Sequence, residues 1–467
     1  MHFCPPYDEN VHKARINMNW GNDKMKKRKR LWSLTLVLLM MFLSACSSSS
    51  QEGSGTDTNN GSTDESEKPI TLTMMLSGNK ASEGEDFELE TLPRLVKEKF
   101  PNINLEVQKL PDDQYNTSVR TKLAAGQGPD IFWIFPKNAA GGVIDFAKAG
   151  FAADLSDLKF WDNISQGAKE DMSYEGKPYG VAEGLDFLGV YYNKELLQQA
   201  GYSEFPKDWP SFLDLCQKLQ AAGVTPIAMG DKDPWMIQFG MYPIAANVVY
   251  PNELDFDVKL QNGEKSLTDP KWVQTISKYK ELYDNNYVVK NSLGIGSAQS
   301  AQLFIDGKAA MTFTGTWDYA SMTSKGAAEF TRGFASLPGN EPEQPVFVSA
   351  ATSAGYALNA KSANLDAAKE VLNYLFDGES DLFKAFVEAN SSISVYKDVE
   401  LENELFKEVN DNYQQTGNSV YFSNQMWPAG VSDVMQAKFA EIIAGQKTTP
   451  EDVAKAMETK FRELWKN

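Results

Sequence analysis

Apolar and polar positions change period along the chain, and the changes mark out its elements. Ile70 to Leu76 is an apolar strand candidate followed by the polar turn Ser77-Gly78-Asn79-Lys80. From Phe87 to Phe100, Leu89, Leu92, Leu95 and Val96 recur at helical spacing, and the run stops before Pro101. Ile103 to Val107 alternates as a strand does. Asp112 to Ala125 returns to the helical pattern and closes at Gly126, and the turn Gly128-Pro129-Asp130 leads into the apolar run Ile131-Phe132-Trp133-Ile134-Phe135. Strand, helix, strand, helix, strand is the order of an α/β lobe with a largely parallel sheet.

A second set follows. Asp208-Trp209-Pro210 starts a helix with Phe212, Leu215, Cys216 and Leu219 on one face, so Cys216 reads as core. Gly223 to Ala228 is a short strand, Trp272 to Tyr283 and Ala298 to Ile305 are helices, and Lys308 to Thr314 is a strand. The last third predicts a strand at Gly355 to Leu358, a helix from Leu365 to Phe376, and a final helix capped by Thr449-Pro450-Glu451-Asp452. Its stripe of Val453, Met457, Phe461 and Trp465 reads as core. Between the two sets, Tyr179 to Lys194 combines strand-favouring residues with Gly180, Gly184 and Gly189 and two carboxylates, Glu183 and Asp186. It reads either as a strand crossing between two lobes or as a buried strand with carboxylates at its ends.

The N-terminus changes the inventory. Met25-Lys-Lys-Arg-Lys-Arg, the apolar run Leu31 to Leu43 and then Ser44-Ala45-Cys46 have the layout of a signal peptide at 25–45, with an apolar run below the roughly 20 residues that span a membrane. Leu43-Ser44-Ala45-Cys46 resembles the bacterial lipobox, in which the cysteine is lipidated on sulfur and becomes the first residue. Residues 1–24 have no place in that signal and read as a mis-set translation start. Residues 46–68 follow as lipidated cysteine and flexible tether, whose average reach is roughly 25 Å.

Both histidines, His2 and His12, go with the removed segment, and Cys46 and Cys216 remain. A disulfide framework, a Cys/His metal site and imidazole-based nucleophilic catalysis are then excluded; no metal and no cofactor is expected. Eight basic and three acidic residues leave with the first 45, taking the net charge from −18 to −23. Such a chain is repelled by phosphate backbones, so nucleic acid is not an expected partner.

Several motifs resemble one family. Thr121-Lys122-Leu123-Ala124-Ala125-Gly126-Gln127-Gly128-Pro129-Asp130-Ile131-Phe132 resembles a signature of the family 1 extracellular solute-binding proteins, which serve ABC importers, mostly for sugars. Gly189-Val190-Tyr191-Tyr192-Asn193-Lys194, Gly223-Val224-Thr225-Pro226 and Phe304-Ile305-Asp306-Gly307-Lys308-Ala309-Ala310-Met311 before Gly315-Thr316-Trp317 fit the same pattern, in family order. The resemblance implies a two-lobed, type II periplasmic-binding-protein-like α/β fold with the ligand in the cleft between lobes. The first lobe would hold 69–182 and 346–398, the second 183–345 and 399–467.

It also implies a monomer without enzymatic activity, lipid-anchored at the outer face of a bacterial cytoplasmic membrane, that binds a carbohydrate and passes it to ABC permease subunits. A sugar site wants aromatic faces for C–H groups and polar groups for hydroxyls. On that pattern the candidates are Trp133, Trp317, Asp318, Trp235 and Trp427, the pair Asn79 and Lys80, and either Glu183 or Asp186. One departure matters: after Trp133 the maltose-binding-like pattern supplies an acid, where this chain has Ile134-Phe135-Pro136-Lys137, which argues against a maltodextrin. Alternatives are the same scaffold holding a glycerophosphodiester or peptide, a secreted glycoside hydrolase using Glu183 and Asp186, and an adhesive lipoprotein. The hydrolase is disfavoured because residues three apart on a strand point to opposite faces.

Overall fold

Two sheets account for most of the strands. The computed structural model describes residues 68–465 apart from 79–85, 138–141, 325, 390–393, 398, 400–402, 423–425 and 429. Asn79, Lys80, Cys46, the signal segment and most of the tether lie outside the described residues. In chain order the strands are β1 (Ile70–Ser77), β2 (Ile103–Leu110), β3 (Ile131–Ile134), the short hairpin β4 (Ser173–Tyr174) and β5 (Lys177–Pro178), β6 (Val181–Ala182), β7 (Leu185–Asn193), β8 (Thr225–Ala228), β9 (Ala309–Gly315), β10 (Arg332–Ala335), β11 (Val348–Thr352), β12 (Gly355–Leu358) and β13 (Ser419–Val420).

The first sheet has the order β2-β1-β3-β12-β6, with β1 parallel to both β2 and β3 and β12 antiparallel to its neighbours. Its core gathers Leu72, Met74, Leu105, Phe132 and Ile134 with the helix residues Leu92, Val96, Val119 and Leu372. The expected helix from Phe87 begins instead as a π turn, Phe87–Thr91, and becomes α-helical at Leu92–Lys99. Pro93 explains the difference, because it has no N–H with which to close an α turn onto Leu89.

The second sheet has the order β13-β11-β7-β9-β8, with β10 also on β7. It is less parallel than the helix-strand alternation predicts: β7 pairs antiparallel with β9, β10 and β11. It runs away from the first sheet, and β9 and β11 run back towards it. Alternate residues of β7 supply two cores, Leu188, Val190 and Tyr192 to one face and Phe187 and Tyr191 to the other. Helix Trp209–Ala221 is capped by Asp208, which accepts from Ser211 N at 2.9 Å, and buries Phe212, Leu215, Cys216 and Leu219 as the stripe requires. The final helix, Pro450–Leu464, carries the capping box of Thr449 and Asp452 and buries Val453, Met457 and Phe461.

The chain passes from first sheet to second at Glu183-Gly184, between β6 and β7, and back at Ser353-Ala354, between β11 and β12. The return therefore falls after Thr352, not at 346, because Val348–Thr352 pairs with β7 before the chain leaves.

Candidate functional site

The crossings fix where the lobes meet. Glu183 N donates to Ala354 O at 3.0 Å and Ser353 N to Gly184 O at 2.8 Å, so the two passing segments are bonded to one another. Their approach needs Gly355, where a Cβ would run into the backbone of Val181 and Ala182.

On the first-lobe side, Asp86 caps the Phe87–Thr91 turn through Leu89 N and, with Glu88, holds the Lys109 ammonium at 2.8 and 2.9 Å. Burial alone would lower the Lys109 pKa, but Glu88 and Asp86 raise it. This group acts on Glu183 at the crossing. Burial drives the Glu183 carboxyl well above the usual carboxylate range, and Glu88 and Asp186 push it further, against the nearby Tyr356 hydroxyl and the charge of Lys109. The neutral form thus favoured can donate as well as accept. Trp133 on β3 is half-buried, edge-on to Tyr356 at 6.1 Å, and its carbonyl accepts from the Tyr115 hydroxyl at 2.6 Å.

On the second-lobe side, Asp186 is buried and accepts from Thr316 Oγ1 at 2.8 Å; that same oxygen accepts from Phe187 N at 3.2 Å. These bonds pin the turn Thr316–Asp318 against the start of β7, two residues beyond the crossing. Trp317 stands out from this turn with 36% of its surface exposed, its indole lying over Gly315, where a Cβ would collide with the ring. Asp318 beside it accepts from the Thr314 hydroxyl at 2.6 Å. Phe239 lies 5.3 Å from Trp317 and 5.4 Å from Trp235, and Phe422 lies 6.3 Å from Trp317, which makes an aromatic cluster with Trp317 as its exposed member.

A bonded contact joins the lobes nearby. The buried carboxylate of Asp171, in the first lobe, accepts from the second-lobe hydroxyls of Thr352 at 2.6 Å and Tyr421 at 2.7 Å. Lys137 Nζ pairs with Asp171 at 3.0 Å and sits 3.7 Å over the Tyr421 ring. Lys137, the charged residue of the Ile134-Phe135-Pro136-Lys137 segment, is thus committed to this clasp.

The structure brings Glu183, Asp186, Trp317 and Asp318 to the seam, with Trp133 on the first-lobe side and Trp235 behind Phe239. Trp427 is a correction. It is 1% exposed, donates from Nε1 to buried Asp257 at 3.1 Å and packs 5.3 Å from Trp272. Met426-Trp427-Pro428 reads as an open loop, but its indole closes the second-lobe core. Sequence reasoning missed Phe239, Phe422, Tyr356 and the Asp171 clasp; Phe239, four residues after Trp235 in a helical run, was the one with a local signal. Among the described residues no group of three His, Cys, Asp or Glu side chains could hold a metal ion.

An exposed indole beside carboxylates and hydroxyls offers a face for C–H groups and directional partners for hydroxyl groups. The profile of a family described as bacterial extracellular solute-binding protein matches residues 88–380. The chain is 23% identical over 296 residues to the multiple sugar-binding protein of Streptococcus mutans serotype c, a match spanning 61% of this chain and 67% of that protein. It is 26% identical over 299 residues to the diacetylchitobiose binding protein DasA of Streptomyces coelicolor, across 63% and 64% of the two chains. A solved chitin oligosaccharide binding protein superposes with a TM-score of 0.74 at 21% identity, covering 85% of this chain and 99% of its own.

Proposed function

The chain belongs to the bacterial extracellular solute-binding protein family, and from that membership we propose that it captures a carbohydrate between its lobes and delivers it to the permease of an ABC importer. Its fold is the two-lobed type II architecture of periplasmic binding proteins. The observation that carries the sugar reading is Trp317: an indole 36% exposed, laid over Gly315 and flanked by Asp186 and Asp318, at the edge of the second lobe that meets the first. Relatives named as sugar-binding proteins support the same reading. A sugar's apolar face would rest on Trp317, and its hydroxyls would bond to Asp318, Asp186 and Glu183, with Trp133 opposite. Asn79 and Lys80 belong to the same proposal as first-lobe contacts. Capture and release need no covalent step, so the chain acts as a binding protein, held outside the membrane by lipid on Cys46.

The test is titration of the protein with mono- and oligosaccharides, followed by tryptophan fluorescence, for the natural chain and for Trp317→Ala. Loss of the stacking face is expected to weaken the responding sugar by about tenfold to a hundredfold, with Trp317→Phe largely restoring it. Unchanged affinity in Trp317→Ala removes the platform, and a response to glycerophosphodiesters or peptides instead of sugars replaces the ligand class.

A further inference from the structure

Resting on that reading of the cleft, we infer that Tyr421 is a positioning residue: without touching the sugar, it ties the Trp317 platform to the first lobe and so sets how long a captured sugar is retained. The tie is a short strap. β13 lies parallel to β11, with Ser419 beside Val348 and Val420 beside Ser349, and the chain then runs on through Tyr421 and Phe422. There the two side chains part. The Tyr421 hydroxyl donates across the seam to Asp171 at 2.7 Å, whereas Phe422 stays with its own lobe, 6.3 Å from the Trp317 ring and at 73° to it. Adjacent residues thus carry one contact to the opposite lobe and one to the exposed indole.

The first-lobe end of the strap is firmly built. Lys137 serves it twice, donating from its backbone N to Asp171 O at 2.9 Å and reaching the Asp171 carboxylate with Nζ at 3.0 Å, where it lies against the Tyr421 ring. Its φ of 50° is a left-handed conformation that a lysine keeps only where its surroundings fix it. Lys137 follows β3, the strand that bears Trp133, so the anchor is joined by chain to the first-lobe candidate as well. At the other end, Trp317 has two aromatic neighbours among the described residues, Phe239 and Phe422. Phe239 is buried in the second-lobe core, whereas Phe422 is half-buried and next to Tyr421. Releasing the Tyr421 hydroxyl therefore loosens one of the two rings that brace the platform. A sugar stacked on a looser indole leaves sooner, and the loss falls on dissociation, because association is set mainly by diffusion and orientation.

The test follows tryptophan fluorescence of the purified full-length protein in stopped flow with glucose, galactose, cellobiose, xylobiose and melibiose. Tyr421→Phe keeps the ring beside Lys137 and removes only the hydroxyl. It is expected to speed dissociation about threefold to tenfold, the worth of one hydrogen bond, and to leave association within about twofold. In a Phe422→Leu background the same change should do little, since the strap is already cut. A second readout needs no ligand. Acrylamide quenching of the emission assigned to Trp317, taken as the difference from Trp317→Phe, should rise in Tyr421→Phe. It should not rise in Thr352→Val, which removes another donor from Asp171 and leaves the strap whole. Unchanged dissociation in Tyr421→Phe, or an equal acceleration with and without Phe422, overturns the inference and leaves the sugar reading standing. If no sugar changes the fluorescence while Trp317 quenching still follows Tyr421, the positioning role stands and the sugar reading falls; if neither responds, both fall.

Discussion

Asp257 shows how a single side chain can decide whether an aromatic is available to a ligand. Its carboxyl accepts from the Tyr250 hydroxyl at 2.9 Å and from Trp427 Nε1 at 3.1 Å, so the tryptophan is committed to the core. Burial pushes the Asp257 pKa from 3.8 up to about 6, and the two donors offset part of that rise. The folded state therefore binds the proton more tightly than the unfolded chain does. Stability falls as pH rises from about 4 to about 6 and stays reduced above that. At about 1.4 kcal/mol per pKa unit, the natural chain should lose about 2–3 kcal/mol relative to Asp257→Asn between pH 4 and pH 7. Urea unfolding of both chains across that range measures it, and parallel stability profiles would refute it. A sequence cannot announce this arrangement. Trp427 lies 170 residues from Asp257, and Met426-Trp427-Pro428 has the polarity breaks of a loop, so nothing local separates an exposed platform from a core indole.

At the scale of elements, what was legible followed from periodicity. Helical spacing placed the helices at Trp209, Trp272 and Pro450, and the glycines and carboxylates around Glu183 marked a stretch that read either as a crossing or as a buried strand, between which the strand pairing decides. The second crossing was misplaced because the return at 346 was carried over from the family's arrangement; Val348–Thr352, short and rich in Ser, Ala and Thr, gives no local strand signal, and only its pairing with β7 assigns it to the second sheet. The clasp was invisible for a similar reason, since Asp171 and Tyr421 are 250 residues apart. Its bonds link elements of different lobes, so they should couple the lobes energetically. Removing the Tyr421 hydroxyl in Tyr421→Phe should cost about 1–3 kcal/mol, because buried Asp171 loses one of its donors. In a double-mutant cycle with Asp171→Asn, the two changes should fall short of additivity by about 0.5–3 kcal/mol. Strict additivity in thermal or urea unfolding would show that the contact does not join the lobes.

For the molecule as a whole, charge and anchorage make opposed demands. With the proposed signal segment of 45 residues removed, the chain would carry a net charge of −23, and an anionic membrane surface would repel it. Electrostatic adhesion therefore cannot hold it at the membrane. Among the described residues no helix is long and apolar enough to cross a membrane; the retention we propose rests on the lipid at Cys46. Salt and mutation separate these explanations. High salt should leave the natural protein in the membrane fraction, since buried acyl chains are held at about 0.8 kcal/mol per CH₂ and are indifferent to ionic strength. Cys46→Ala should move it to the medium with its sugar affinity unchanged. Fractionation followed by titration checks both halves. Salt-released natural protein would point to ionic adhesion, and membrane retention of Cys46→Ala would remove the lipid anchor from the proposal.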